Sequence, residues 1–452
     1  MNKSLNANGD LKLPALLGLG GALFSMHFGA SSMVWPMNWG KESGSSYLIA
    51  FAGAFITSLL LVLFAYIAMS RGNGTYSKIT VKAIGKKFGV IYSCITIIVL
   101  GPLYAIPRMS AAAWDSIVQA FGLNPDNRIL LIIFTVAFYL VTYWFLMNPG
   151  KAMDRISSIL FPVLIIIVII VVGKGMITPI ADPVPKSYDT SAFAYGFTNG
   201  YATAEILCAL VFGTVIINSL KEKGVSDTHM NKNIIRVGIV GLAILTCTHF
   251  CHMWIGAHTG GTIDLTYTAL YTEVAIELLG KIGGVFFCLA LFFAALTTAI
   301  GMASGCAEFF IDTMETDKFT YKQVSLAILI LSTIFGCLGL TSLLDILGPI
   351  LDGIYPAAIV LVLYYTFVPK CNEARGLNMC KWGMTAALIM GIVDTIYTYG
   401  ARFHVDLGIY NTIYEALPLS SDKLAWVPFA IVACVIGYVV YREKDKGGVT
   451  NE

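Results

Sequence analysis

Hydrophobic residues in this chain fall into twelve long runs, with polar residues gathered in the short stretches between them. The runs are Pro14–Pro36, Ser46–Ser70, Phe88–Leu123, Ile129–Met147, Ile156–Met176 and Ser191–Leu220, then Ile234–Ala257, Ile282–Ile311, Val324–Leu343, Ile346–Val368, Trp382–Tyr399 and Leu424–Tyr441. Most reach the roughly 20 residues a helix needs to cross a hydrocarbon core, so each predicts a membrane span. Two runs are interrupted. The first carries Gly29-Ala30-Ser31-Ser32 and the sixth carries Thr198-Asn199-Gly200-Tyr201. Non-helical backbone is tolerated at membrane depth only where it is buried in protein or lines a cavity. Two broken spans, five apart, point to a transporter with its substrate site near the midplane.

Composition and charge sharpen this picture. Only 12% of residues are charged and 57% are hydrophobic, against roughly 25% charged in ordinary soluble domains. No polar segment is long enough to form a second domain, so residues 1–452 read as one polytopic unit. Alternate loops carry about 21 and about 6 basic residues, with Arg71, Lys78, Lys82, Lys86 and Lys87 the densest group. By the positive-inside rule both termini lie in the cytoplasm. The first run is too long for a signal-peptide core and stays as a span. The ten cysteines are scattered and imply no disulfide framework. No phosphate-binding loop, nucleophile elbow or HExxH motif appears, so an enzyme is not expected and any transport is secondary.

The spacing also suggests a long repeat. Residues 13–178 and 191–368 each open with a broken span and have a long third member, leaving 382–441 as two additional helices. Five spans is an odd number, so two consecutive copies sit in opposite orientation. Tyr267–Leu279, between spans seven and eight, has helical character and reads as a surface lid.

Four strings then carry a family resemblance. Phe24-Ser25-Met26-His27-Phe28-Gly29-Ala30 followed by Pro36, and Gly101-Pro102-Leu103-Tyr104-Ala105-Ile106-Pro107-Arg108, resemble motifs of the bacterial branched-chain amino acid:cation symporters. So do Gly200-Tyr201-Ala202-Thr203-Ala204-Glu205, running into Ala209-Leu210-Val211-Phe212-Gly213, and Leu296-Thr297-Thr298-Ala299-Ile300-Gly301. The resemblance implies an all-α fold of about twelve helices with a 5+5 inverted repeat and discontinuous helices 1 and 6, like the bacterial leucine transporter. It further implies uptake of leucine, isoleucine and valine across the bacterial inner membrane, coupled to Na+ or H+. Ser31-Ser32, Glu205 and His27 stand where family members commonly have Gly-Asn, Asp and an apolar aromatic.

An amino acid is a zwitterion, and a broken helix offers both ends of its dipole. The amides of Ala30, Ser31 and Ser32 suit a carboxylate, and carbonyls near Asn199 and Gly200 suit an ammonium. Close packing by small residues is the competing account of Gly29 to Ser32. Thr297 and Thr298 offer adjacent hydroxyls for Na+, with Ser25, Phe28 and Ala294 adding carbonyls by the family's pattern. Threonines in spans also bond back to their own helix, and that reading stays open. Phe28, Phe197, Tyr201, Phe292 and Phe293 are candidates for an apolar side-chain pocket. Intramembrane charges are costly and usually functional. Arg108 reads either as a gate pairing with Asp115 or another acid, or as an anchor snorkelling to the interface. Glu205 binds the cation, carries a proton, or forms a structural pair. His27 reads as proton-sensitive or simply packed. Asp345, Asp352 and Asp394 receive no role. Cys247 and Cys251, four apart on one helical face, have a metal-compatible spacing, with packing the competing account. The leading expectation is a Na+-coupled symporter working by alternating access. Its rivals are an H+-coupled carrier of another small neutral solute, a passive channel and a metal-ion carrier. Beyond the coupling ion no cofactor, protein partner or nucleic acid is expected.

Overall fold

The computed structural model describes residues 4–6, 8–72, 75–147, 151–314 and 318–441. Among them every named element is a helix. The first span is α1 (Leu13–His27) and α2 (Ala30–Ser43), parted at Phe28-Gly29. The second is α3 (Tyr47–Phe55) and α4 (Leu61–Arg71), joined by a π turn at Ile56–Leu60. A short helix, α5 (Tyr76–Ile84), precedes the third span, α6 (Lys86–Ile98) and α7 (Ile106–Phe121), whose π segment Val99–Ala105 contains Pro102. Then come α8 (Arg128–Met147) and α9 (Lys151–Ile177). The sixth span is α10 (Ala192–Asn199) and α11 (Glu205–Glu222), bent by 44°. α12 (Asp227–Ala257), α13 (Tyr267–Met314), α14 (Tyr321–Gly336), α15 (Leu340–Phe367) and α16 (Ala374–Arg402) continue the bundle. A short α17 (Ile409–Glu415) leads to α18 (Trp426–Val440).

Both expected interruptions are real breaks. Two other expectations need correction. The ninth span ends at Gly336, not Leu343, because Gly339 turns the chain at φ 82° and Leu340 already begins α15. Only a residue without Cβ adopts that conformation cheaply. Tyr267–Leu279 is helical and is set off from the eighth span by Gly280 at φ 72°, yet it is no surface lid. Leu270, Tyr271, Val274 and Ala275 are fully buried, and the Tyr271 ring lies 4.2 Å from Phe287.

Cross-contacts show how the spans alternate. At one end the Leu11 amide donates to Asn233 Oδ1 at 2.9 Å, and Arg71 Nη2 donates to the Val368 carbonyl at 2.9 Å. This is the end bearing the Arg71–Lys87 basic group. At the other end Ser45 N donates to Val184 O at 2.8 Å and Ala181 N to His258 O at 2.9 Å.

The broken spans are wedged in by glycine. A Cβ on Gly40 of α2 would lie 1.9 Å from the Met253 carbonyl oxygen of α12, and one on Gly256 of α12 1.9 Å from that of Met37. The same reciprocal fit joins α10 to α3, where Gly196 faces the Ala50 oxygen at 1.8 Å and Gly53 the Phe193 oxygen at 2.1 Å. Span one thus grips span seven as span six grips span two. Close approach through small residues is how helices associate where lipid removes the hydrophobic drive.

Candidate functional site

At the first break Phe28 (ψ 73°) and Gly29 (ψ −174°) leave helical geometry, and α2 restarts without a side-chain cap. Uncapped helix starts leave amide donors unspent. Ala30, Ser31 and Ser32 are all buried here. The Ser32 amide turns back to the Gly29 carbonyl at 3.1 Å, and its hydroxyl donates to Glu205 Oε1 at 2.8 Å. Glu205 also bonds His27 Nδ1, while His27 Nε2 lies 2.7 Å from Tyr66 Oη. His27, Ser32 and Glu205 are each under a tenth exposed. Of the readings open for Glu205, the structural pair is what the geometry shows: it ties the first break to the start of α11.

At the sixth break a 3-10 turn, Gly200–Thr203, ends at Ala204 with φ 58°. Gly200 is pressed against span two, where an added Cβ would lie 2.0 Å from Thr57 Oγ1. The Gly200 carbonyl, one of those expected to suit an ammonium, accepts from Thr203 Oγ1 at 2.9 Å. The Asn199 side chain donates to the Tyr195 carbonyl at 2.9 Å, and Thr57 Oγ1 to that of Phe197 at 2.8 Å. Tyr201 stacks on Tyr355 with centroids 4.6 Å apart.

A cavity of about 540 Å³ runs from the first break to Asn218, Glu308 and Asp312, towards the basic end. Its wall carries all five cation candidates: Ser25, Phe28, Ala294, Thr297 and Thr298. The two threonines differ. Thr297 Oγ1 donates back to its own helix, at 3.1 Å from Phe293 O and 3.0 Å from Ala294 O. Thr298 has no hydrogen-bond partner among the described residues, and a methyl group on Gly29 would lie 2.9 Å from its hydroxyl. Its oxygen therefore faces the broken main chain. Of the aromatic candidates, Phe28 and Phe293 line the cavity. Phe292 packs instead with Phe138 (5.8 Å) and Phe134 (6.2 Å).

The opposite end is closed. Arg108 is 2% exposed. It donates to the Ala202 carbonyl at 2.6 Å and lies over the rings of Trp35 (4.6 Å) and Tyr104 (4.5 Å). It does not snorkel, and it forms no ion pair with Asp115 or another acid among the described residues. Seven positions along α7 separate the two, and the guanidinium has turned towards the sixth break. Tyr195 bonds Glu42, and Lys41 donates to Leu265 O at 2.7 Å. The metal reading of Cys247 and Cys251 also fails. Cys247 is exposed, His252 bonds Tyr271 at 2.8 Å, and no metal-sized group of His, Cys, Asp or Glu occurs among the described residues.

Sequence reasoning missed Tyr66, Trp35 and Tyr355. Aromatic residues fill these spans, and nothing in their spacing marks the three that touch the breaks.

Two broken spans, crossing at a cavity that opens to one end of a helical bundle, define a membrane transporter. Solved structures agree on the fold. The chain resembles MhsT, solved with L-phenylalanine, at TM-score 0.51 and 14% identity, covering 94% of this chain and 98% of that one. It resembles Mhp1, a nucleobase-cation-symport-1 family transporter solved in a closed conformation with bromovinylhydantoin, at TM-score 0.54 and 12% identity, covering 95% and 94%. This is the leucine-transporter fold. Residues 13–444 match the model of the branched-chain amino acid transport proteins, and the chain belongs to that family. It is 28% identical to the branched-chain amino acid transport system 2 carrier protein of Pseudomonas aeruginosa, over 94% of this chain and 96% of that one. It is 30% identical to the branched-chain amino acid permease BraB of Bacillus subtilis, over 93% and 94%.

Proposed function

We propose that the protein imports leucine, isoleucine or valine together with Na+, by alternating access, across a cytoplasmic membrane with its basic end inside. The observation that carries this reading is the convergence of Ser25, Phe28, Ala294, Thr297 and Thr298 on one cavity wall beside the first break. A hard cation prefers neutral or anionic oxygens, and Thr298 brings one that no protein donor occupies. The Ala30 and Ser31 amides, at the positive end of α2, are the natural seat of the substrate carboxylate. Phe28 and Phe293 give the aliphatic side chain apolar surface to bury, at roughly 25 cal/mol per Å².

The energetics are adequate. One sodium ion crossing about 100 mV releases about 2.3 kcal/mol, which supports roughly fortyfold accumulation. Labelled leucine uptake into proteoliposomes under an imposed sodium gradient tests the reading. Uptake should collapse when choline replaces sodium. Uptake indifferent to that exchange rules out sodium coupling, and no uptake of any branched-chain amino acid overturns the cargo.

A further inference from the structure

A second, smaller cavity lies at the closed end, between the sixth break, α15, α16 and the turn before α18. Asp352 and Asp394 face it together with Tyr201, Lys423 and Trp426. Carboxylates inside spans are expensive unless a cation accompanies them. Neither acid takes part in an ion pair among the described residues. Asp394 accepts a hydrogen bond from the Tyr414 hydroxyl, and Asp352 has no hydrogen-bond partner among the described residues, with Lys423 and Arg402 the cations near enough to act on it. The one cation on the wall, Lys423, is exposed and held at φ 56° in a turn. Two carboxyl groups thus share one cation on the cavity wall.

The wall also carries donors without acceptors. Tyr201 is 3% exposed and Trp426 8%, yet Tyr201 Oη and Trp426 Nε1 both lack a hydrogen-bond partner. Two carboxylates want a cation, and two buried donors want an acceptor. A bare metal ion satisfies the first demand and is repelled by an indole N–H. A zwitterionic amino-acid head satisfies both.

Resting on the transport reading above, we propose that Asp352, Asp394, Tyr201 and Trp426 form an entrance site for the ammonium and carboxylate of the incoming amino acid, with Lys423 as its internal competitor. The cavity now has room for about one water, about 10 Å³, so this is its collapsed state and the Lys423 turn must lift to admit a ligand. Tyr201 is the floor. Its ring rests on Tyr355, whose hydroxyl accepts from the Ile206 amide at 3.2 Å. The entrance site therefore stands one aromatic layer from the start of α11.

Leucine uptake into proteoliposomes at saturating sodium tests the assignment with Asp352→Asn, Asp394→Asn and Lys423→Gln. The two carboxamide variants should raise the leucine KM about tenfold, and Lys423→Gln should lower it about threefold. The sodium half-saturation and kcat should stay within about twofold. Opposite shifts cannot come from misfolding, and Lys423 lies on an exposed turn. Asp345→Asn, whose carboxylate pairs with Arg402 at 3.3 Å, serves as the control without effect. An unchanged KM in Asp352→Asn and Lys423→Gln overturns the proposal. So does a shift in sodium half-saturation in place of KM, which would assign the acids to the coupling ion. Failure of the unaltered protein to take up leucine would instead defeat the transport reading itself.

Discussion

α2 buries every residue except Lys41 and Glu42, whereas α1 leaves Leu13 65% and Leu17 52% exposed and turns Ser25 and Met26 into the cavity. The sixth span divides the same way. α10 is locked to α3 through Gly196 and Gly53, while α11 lines the cavity with Leu210, Val211 and Thr214. So α2 and α10 meet their neighbours main chain to main chain, at the end that is shut. α1 and α11 frame the end that is open. The breaks separate a half wedged at about 2 Å from a half packed less closely. α1 meets α12 where a Cβ on Gly241 would lie 2.7 Å from the Gly20 oxygen, and α11 meets Met69, where a Cβ on Gly213 would lie 2.9 Å from its side chain. Interlocked main chain permits no small adjustment, so access is expected to change by movement of the looser halves.

The sharpest way to break this contrast is to fill a glycine. Gly40→Ala puts a methyl group into the Met253 carbonyl, at 1.9 Å, and should cost about 3 kcal/mol by overpacking. Gly301→Ala, on the open cavity where nothing lies within 4 Å, should leave stability unchanged. Thermal unfolding in detergent compares the two, and equal stabilities would erase the distinction between the ends. Arg108→Lys comes next. It keeps the charge but loses the planar stacking on Trp35 and Tyr104, a loss of about 1–2 kcal/mol. The closed end should then open more often, seen as roughly tenfold faster labelling of a cysteine placed at Thr198.

The smallest effect belongs to the edge of the bundle. The Lys232 hydrogen bond holds the Asp10 carboxyl below the usual carboxylate range, with burial opposing it. A lowered folded value means the stabilisation is present above the unfolded value of about 4 and fades as pH falls below it. Lys232→Met should leave uptake at pH 7 unaltered. It should remove only the acid-side change in protease sensitivity of the N-terminal segment, measured between pH 5 and 3 by limited proteolysis with an acid-active protease.

Much of the architecture was legible because bilayers demand long apolar runs and punish unpaired backbone. Gly29 and Gly200 marked the breaks, and the Thr297-Thr298 pair marked the cavity wall. What stayed hidden depended on main chain or on distant partners. Gly40 and Gly256 look like any glycine until two helices bring them together. Arg108 binds a carbonyl that no side-chain pattern reveals, so the search for an acid led to Asp115. Gly339 sits between Leu338 and Leu340 and left no gap in hydropathy. The Ser32 hydroxyl reaches Glu205 and the Asn199 side chain a carbonyl of its own helix, partners that spacing does not reveal.

In the proposed reading, the open cavity holds the coupling cation through Thr298 rather than through hydroxyls in general. Sodium titration of leucine uptake in Thr298→Val and Thr297→Val tests it most directly. Losing one unshared oxygen should raise the sodium half-saturation about tenfold in Thr298→Val. Thr297→Val should shift it clearly less, since that hydroxyl bonds its own helix. Equal half-saturations in Thr298→Val and the unaltered protein would contradict the account.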